Sequence, residues 1–357
     1  MSLMNLVSQG LTAWLAAMPK AELHLHLDGS LRPETALDLA RQRGARMADL
    51  PTDLEAMRSR LVAPPRCLDQ ADLLRAFDLP VALLQDAEAL ARCSSELVED
   101  VASDGTCYAE IRWAPSLHRR RGLRLHEGIA AVVKGAGRAA ALAGVDVRLI
   151  VVALRTHSPA VAVEVARAAL PFIADGLTGF DLAGIEERWP DPLRFRAAFE
   201  VARDGGLGIT CHAGEWGAAA QVRAALAIDP WRIAHGAPAA DDDGLMRELV
   251  ARDVTLDLCP TSNLQAGIGS DDHAAPLPRL LRAGVPVTIS TDDRTVSDLT
   301  LVVELERAVR RLGISPADVV TVMRRAYAAA FLHHDEARRA ALQRHFEAWL
   351  VANPGPA

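Results

Sequence analysis

Eight short apolar runs of β character recur along this chain, each followed by a stretch with helical spacing of apolar residues, and that alternation leaves few folds open. The runs cover residues 22–28, 107–113, 145–153, 178–182, 207–211, 232–234, 254–258 and 285–289. Alternation of strand and helix is the mark of a parallel sheet, and eight units close such a sheet into a (β/α)8, or TIM, barrel. A chain of 357 residues suits one such domain, because barrels exceed 250 residues as a single unit. Residues 1–357 are therefore expected to form one barrel, with a helix over residues 11–18 and closing helices over residues 315–350. Ser315-Pro316-Ala317-Asp318 is a good start for the latter.

The first two strands are unusually far apart. Residues 45–105 carry Pro51, Pro64 and Pro65 and then helical patterns over 73–77 and 81–101. An insertion of this length beside a strand end often forms a lid. Leu73, Leu74 and Phe77 line an apolar pocket on that reading; on the plainer one they are ordinary helix packing.

A formal charge of -7 and a pI near 5.9 argue against nucleic acid or an anionic membrane as the main partner, since both need clustered basic residues. The basic cluster at residues 119–124 reads as a solvated loop between a strand and a helix. No stretch resembles a membrane span or a secretory signal. The five cysteines are widely spaced, odd in number and without a Cys-x-x-Cys pair, which fits a reduced, cytoplasmic setting.

A barrel places functional side chains at the carboxyl ends of its strands. The first strand reads Glu22-Leu23-His24-Leu25-His26-Leu27-Asp28, with strict alternation. His24 and His26 therefore project from one face, about 6 to 7 Å apart along the strand, and the leucines pack behind them. Strand five ends in Thr210-Cys211-His212-Ala213-Gly214-Glu215, strand six in Ala234-His235-Gly236 and strand eight in Ser290-Thr291-Asp292-Asp293. Three imidazoles and a carboxylate suit a divalent ion such as zinc, and the expected ligands are His24, His26, His212 and Asp292. An ion in that setting acidifies a water to near neutrality. Glu215 lies near the metal but points elsewhere, so it handles a proton; His235 orients or deprotonates the water. Two-metal barrel hydrolases commonly carry a lysine on strand four, which here reads Gly179-Phe180-Asp181-Leu182-Ala183-Gly184, so one zinc per chain is expected.

Together the segments 24–28, 179–184, 212–215, 232–236, Cys259-Pro-Thr-Ser-Asn263 and 290–293 resemble the adenosine deaminase family, especially its bacterial branch, in order from about Pro19 to Phe331. The resemblance implies a zinc-dependent hydrolase that removes the 6-amino group of a purine nucleoside. It implies catalytic roles for Glu215, as proton donor to N1, and for His235 and Asp292. It further implies substrate contacts from His26, Asp28 (ribose hydroxyls), Gly184 (backbone N–H to N3) and Asp293 (N7), with Leu74 and Phe77 on the lid. Departures are Asp293, where many bacterial relatives have Asn; a loop at residues 267–276 in which His273 is read as no ligand; and Trp216 with Ala218 to Ala220 on the sugar side. Adenosine and 2'-deoxyadenosine are the expected substrates. Adenine, AMP, aminodeoxyfutalosine and other 5'-substituted adenosines are alternatives, as are a zinc or binuclear amide or phosphotriester hydrolase on the same barrel and a non-catalytic purine-binding relative. No oligomeric state follows from the sequence.

Overall fold

The computed structural model describes residues 3–43, 50–268 and 276–356, and the loop position His273 lies outside them. Eight strands, β1 (Lys20–His26), β2 (Thr106–Trp113), β3 (Asp146–Leu154), β4 (Leu177–Ala183), β5 (Gly208–Ala213), β6 (Arg232–His235), β7 (Thr255–Leu258) and β8 (Val287–Ile289), run parallel in sequential order. Closure is made beyond the end of β8: Leu25 bridges to Asp292, His26 N–H donates to the Asp292 carbonyl at 2.7 Å, and Asp292 N–H to the His24 carbonyl at 3.1 Å. One step earlier the Ser290 hydroxyl accepts from the N–H groups of Leu23 and His24. The seam of the barrel is thus built from the segments that carry three of the expected ligands.

Each strand shows one apolar face to the surrounding helices, where Leu23, Leu25, Ile111, Val151, Phe180, Ile209, Ile233, Leu256 and Ile289 are fully or almost fully buried in one continuous core. The inward face differs from the aliphatic layers common in such barrels. Glu110, Arg112, Asp181, Arg232 and Asp257 are all fully buried inside. Arg112 pairs with Asp181 at 2.8 Å, and Arg232 pairs with Asp257 at 2.9 Å and with Glu110. Tyr108 and Thr288 donate hydroxyls to Glu110 and Asp257. Buried charges are tolerable only when paired and hydrogen-bonded, and here the alternation of signs supplies the partners. Below this layer the Arg232 guanidinium stacks on Phe331, 3.7 Å from the ring centre.

Between β1 and β2 the chain forms helices Pro33–Arg43, Leu54–Leu61, Gln70–Leu83 and Ala87–Ser103. Asp53, Asp69 and Asp86 cap the last three, each accepting a backbone N–H of the first turn. Helix Ala87–Ser103 is strongly amphipathic and packs its buried face, including Leu90, Leu97 and Val101, into the main core. Helix Gln70–Leu83 instead joins a small separate cluster, in which Leu73 and Ala76 meet Ala63, Cys67 and Val296, with Phe77 and Trp216 at its edge. Leu79 and Leu83, in the second half of the same helix, pack into the main core, so it is the first half that lies over the strand ends. At the other terminus, helices Pro316–Ala329 and Glu336–Ala352 close the chain. Among the described residues no helix is long and apolar enough to cross a membrane, and no two of the five thiols are joined.

Candidate active site

The carboxyl ends of β1, β5, β6 and β8 bring His24, His26, His212, His235 and Asp292 together, as the alternation of β1 and the strand-end positions require. His24 and His235 are fully buried, and His212 and Asp292 nearly so; only His26 keeps some exposure. The turn of the chain that aims two of these side chains inward is costly. His235 and Asp292 both adopt φ of 64°, a left-handed conformation that disfavours residues with a Cβ by about 1 to 2 kcal/mol each.

The distances distinguish two shells of groups. His24 Nε2 lies 3.2 Å from His26 Nε2, which lies 3.2 Å from His212 Nε2; Asp292 Oδ1 is 3.0 Å from His24 Nε2 and 3.3 Å from His26 Nε2. Ligand atoms about 2.0 to 2.1 Å from a tetrahedral zinc lie about 3.3 Å apart, so these four groups have the spacing of a coordination sphere. His24, His212, His235 and Asp292 also present ligand atoms within 4.8 Å of one another. His235, however, stands 3.8 Å from Asp292 Oδ2 and 3.9 Å from Glu215 Oε2, one step outside the tight set.

Protonation favours the same reading. Burial, the largest influence, drives His24 well below the usual histidine range and holds His26 and His235 down at about 3, so all three rings are neutral and have a lone pair to offer. For His212 burial is also the largest influence and acts downward, but the carboxylate of Asp181 outweighs it and raises the ring. Asp181 Oδ2 sits 2.9 Å from His212 Nδ1, which favours a proton on that nitrogen, and Nε2 faces the other imidazoles. Burial opposes ionisation of Asp292, and His24 and His235 overcome it, leaving a carboxylate well below its usual range. The residues present therefore fit a divalent metal: imidazole nitrogens and one carboxylate, pointed at a common centre.

Two further carboxyls face the same space in the opposite protonation state. Burial raises Glu215 to about 8, against the pull of His212 and with help from Asp292 and Glu186. Asp293 is raised well above its usual range by burial and then by Asp292, Asp28 and Glu215, and its Oδ1 is buried without a partner. Asp28, raised to about 6 by burial, lines the same cavity. Gly29 makes room for this arrangement: a Cβ there would lie 1.7 Å from Asp293 Oδ1. Gly184, with φ of 104°, lines the cavity on the far side, and Leu73, Leu74 and Phe77 line it from helix Gln70–Leu83.

Several residues that sequence reasoning did not single out hold these groups in place. Glu186 accepts backbone N–H bonds from Gly214, Glu215 and Trp216, fixing the turn that carries Glu215. Arg155 donates to the His212 carbonyl at 2.9 Å and lies 3.9 Å from Glu186. Glu22 accepts from Thr291 N–H and hydroxyl and pairs with Arg294, bracketing Asp292 and Asp293. Asn263 Nδ2 lies 3.3 Å from His235 Nδ1. The available signal was charge inside strands that are otherwise apolar, as at Arg112 and Asp181.

A closed (β/α)8 barrel that gathers neutral histidines and a carboxylate at its strand ends is the architecture of a metal-dependent hydrolase. The adenosine deaminase family model matches residues 19–345. An adenosine deaminase of Enterococcus faecalis is 36% identical over 319 residues, covering 89% of this chain and 94% of its own; one of Mycobacterium ulcerans is 40% identical over 336 residues, covering 89% and 91%. Among solved structures, adenine deaminase from Arthrobacter aurescens superposes with a TM-score of 0.85 at 28% identity, covering 94% of this chain and 99% of its own. An amidohydrolase from Burkholderia ambifaria with bound zinc gives 0.82 at 25% identity, covering 96% and 94%. The chain belongs to the adenosine deaminase family.

Proposed function

We propose that this protein is a zinc-dependent enzyme that replaces the 6-amino group of adenosine and 2'-deoxyadenosine by water, giving inosine or deoxyinosine and ammonia. The observation that carries the proposal is a largely buried carboxyl, Glu215, facing across one cavity the cluster of His24, His26, His212 and Asp292, whose ligand atoms stand 3.0 to 3.3 Å apart, with burial raising Glu215 to about 8. Hydrolysis at C6 needs a proton delivered to the ring and a water activated beside it, and the two sides divide that work.

One zinc held by His24, His26, His212 and Asp292 would supply Lewis acidity and a water of lowered pKa. Adenine C6 is a poor electrophile, because the exocyclic amine feeds electrons into an aromatic ring. Glu215, protonated at neutral pH, donates to N1 as water adds to C6, which draws electrons out of the ring. His235, neutral and 3.9 Å from Glu215, orients the attacking water, takes its proton with the help of Asp292 and passes it to the exocyclic amine, so that the C6–N bond breaks, ammonia leaves and the hydroxyl proton at C6 restores Glu215. Asp293, kept protonated by its neighbours, donates an O–H to N7, an acceptor. Gly184 offers its backbone N–H to N3, and Asp28 meets the ribose hydroxyls. Leu74 and Phe77 cover the sugar side and exclude water.

Nucleoside is favoured over nucleotide by the lining of the cavity, which among the described residues contains no lysine or arginine to meet a phosphate and does contain Asp28. The five unpaired thiols support a cytoplasmic setting as part of this reading. Loss of absorbance on deamination, followed for adenosine, 2'-deoxyadenosine, adenine, AMP and 5'-substituted adenosines, tests the substrate. Turnover strongest on the first two supports the proposal; preference for adenine or a 5'-substituted nucleoside moves the substrate within the same chemistry.

A further inference from the structure

Gln70 stands out in the wall of the cavity. It is 6% exposed, and its side-chain oxygen is buried with no hydrogen-bond partner among the described residues. Buried amides are almost always paired, so an orphan on a residue that lines a cavity needs a reason. Helix capping does not supply one. Gln70 opens helix Gln70–Leu83, where Asp69 already serves as the cap: its carboxylate accepts Asp72 N–H at 2.8 Å and its carbonyl accepts Leu73 N–H. Packing does not supply one either, because Leu73, one turn further along the helix, belongs to an apolar cluster that a leucine or methionine at position 70 would suit better. What remains is the cavity itself, which Gln70 lines together with Asp28, Leu74, Phe77 and Glu215.

We infer that Gln70 is a specificity-determining residue whose amide hydrogen-bonds one hydroxyl of the substrate's sugar. The inference rests on the purine nucleoside reading above and adds a residue and a discrimination to it. Apart from Asp28, the lid side of the cavity is aliphatic and aromatic, so a substrate that is apolar where Gln70 meets it leaves the amide oxygen unpaired. The enzyme accordingly discriminates against nucleosides lacking that hydroxyl and against those that replace it with an alkyl or thioether group.

The test crosses the residue with the hydroxyls. Metal-loaded Gln70→Leu and Gln70→Met are compared with the unsubstituted enzyme on adenosine and on its 2'-, 3'- and 5'-deoxy forms, with metal content and melting temperature measured to show that each variant is folded. On adenosine kcat/KM falls about 5- to 30-fold, chiefly through KM. The 3'- or the 5'-deoxynucleoside is already poor for the unsubstituted enzyme, and for it the substitutions cost less than twofold. An equal loss on all four substrates, or no loss on adenosine, overturns the role of Gln70 while leaving the deaminase reading intact. Absence of turnover by the unsubstituted enzyme on every nucleoside overturns both.

Discussion

Asp181→Asn isolates the buried carboxylate behind the site from the proposed metal ligands themselves. Three donors converge on Asp181: His212 Nδ1 at 2.9 Å and Arg112 Nη1 at 2.8 Å approach Oδ2, and Leu182 N–H donates to Oδ1 at 2.7 Å. An asparagine has one acceptor oxygen, so whichever way its amide turns, an NH2 group is pressed against at least one of these donors. A buried donor left facing another donor costs about 1 to 3 kcal/mol. Arg112 also loses its nearest counter-charge, keeping the Leu23 carbonyl at 2.7 Å and Asp257 at 3.8 Å. If the amide turns its NH2 toward His212, the ring is pushed to the tautomer with hydrogen on Nε2 and can no longer ligate. The expected outcome is a 10- to 100-fold loss of zinc affinity, or about 1.4 to 2.7 kcal/mol, together with a lower melting temperature. Competition against a chelator of known affinity reads the first and thermal unfolding of the metal-free protein the second. Zinc affinity within twofold of the unsubstituted protein would refute the argument that Asp181 sets the His212 tautomer.

Other consequences can be checked in the same way. Glu215→Gln keeps the metal and loses nearly all turnover; and because a protonated carboxyl is the active form on this account, kcat/KM of the unsubstituted enzyme falls tenfold per unit as pH rises beyond about 8. Full activity in the glutamine variant removes Glu215 from proton transfer. Glu186→Gln, which puts a donor among the N–H groups of Gly214 to Trp216, lowers kcat by 10-fold or more and moves that alkaline limb with metal content unchanged, whereas an unmoved limb would make Glu186 a merely structural contact. Gly29→Ala drives Asp293 from its place and raises KM for adenosine at least 10-fold without loss of metal; unchanged KM argues against Asp293 as a substrate contact. Phe77→Ala raises KM more than it lowers kcat if helix Gln70–Leu83 covers the substrate, and unaltered kinetics return it to ordinary packing.

Much of this architecture was legible from residue pattern because strand periodicity and barrel geometry constrain each other. Alternation in β1 fixed which side of the sheet His24 and His26 occupy, and the barrel rule then placed His212, His235 and Asp292 at the same rim without further information. The groups that hold them were not legible, for a physical reason. Asp181, Arg112, Glu186 and Arg155 act by contacts between residues 28 to 69 positions apart, and nothing local marks them beyond a charge within or just after an apolar run. Gln70 was hidden more thoroughly, since a glutamine at the first turn of a helix is unremarkable until its amide is seen to be buried and unpaired. The ionic layer inside the barrel likewise becomes visible only when β2, β4, β6 and β7 are brought side by side.

The most direct test of the central claim is to measure zinc, inosine and ammonia on one preparation incubated with adenosine. The account predicts one equivalent of zinc per chain, inosine and ammonia formed in equal amounts, and activity that disappears on chelation and returns when zinc is restored. A fully metal-loaded, folded protein that leaves adenosine and its relatives untouched would contradict it.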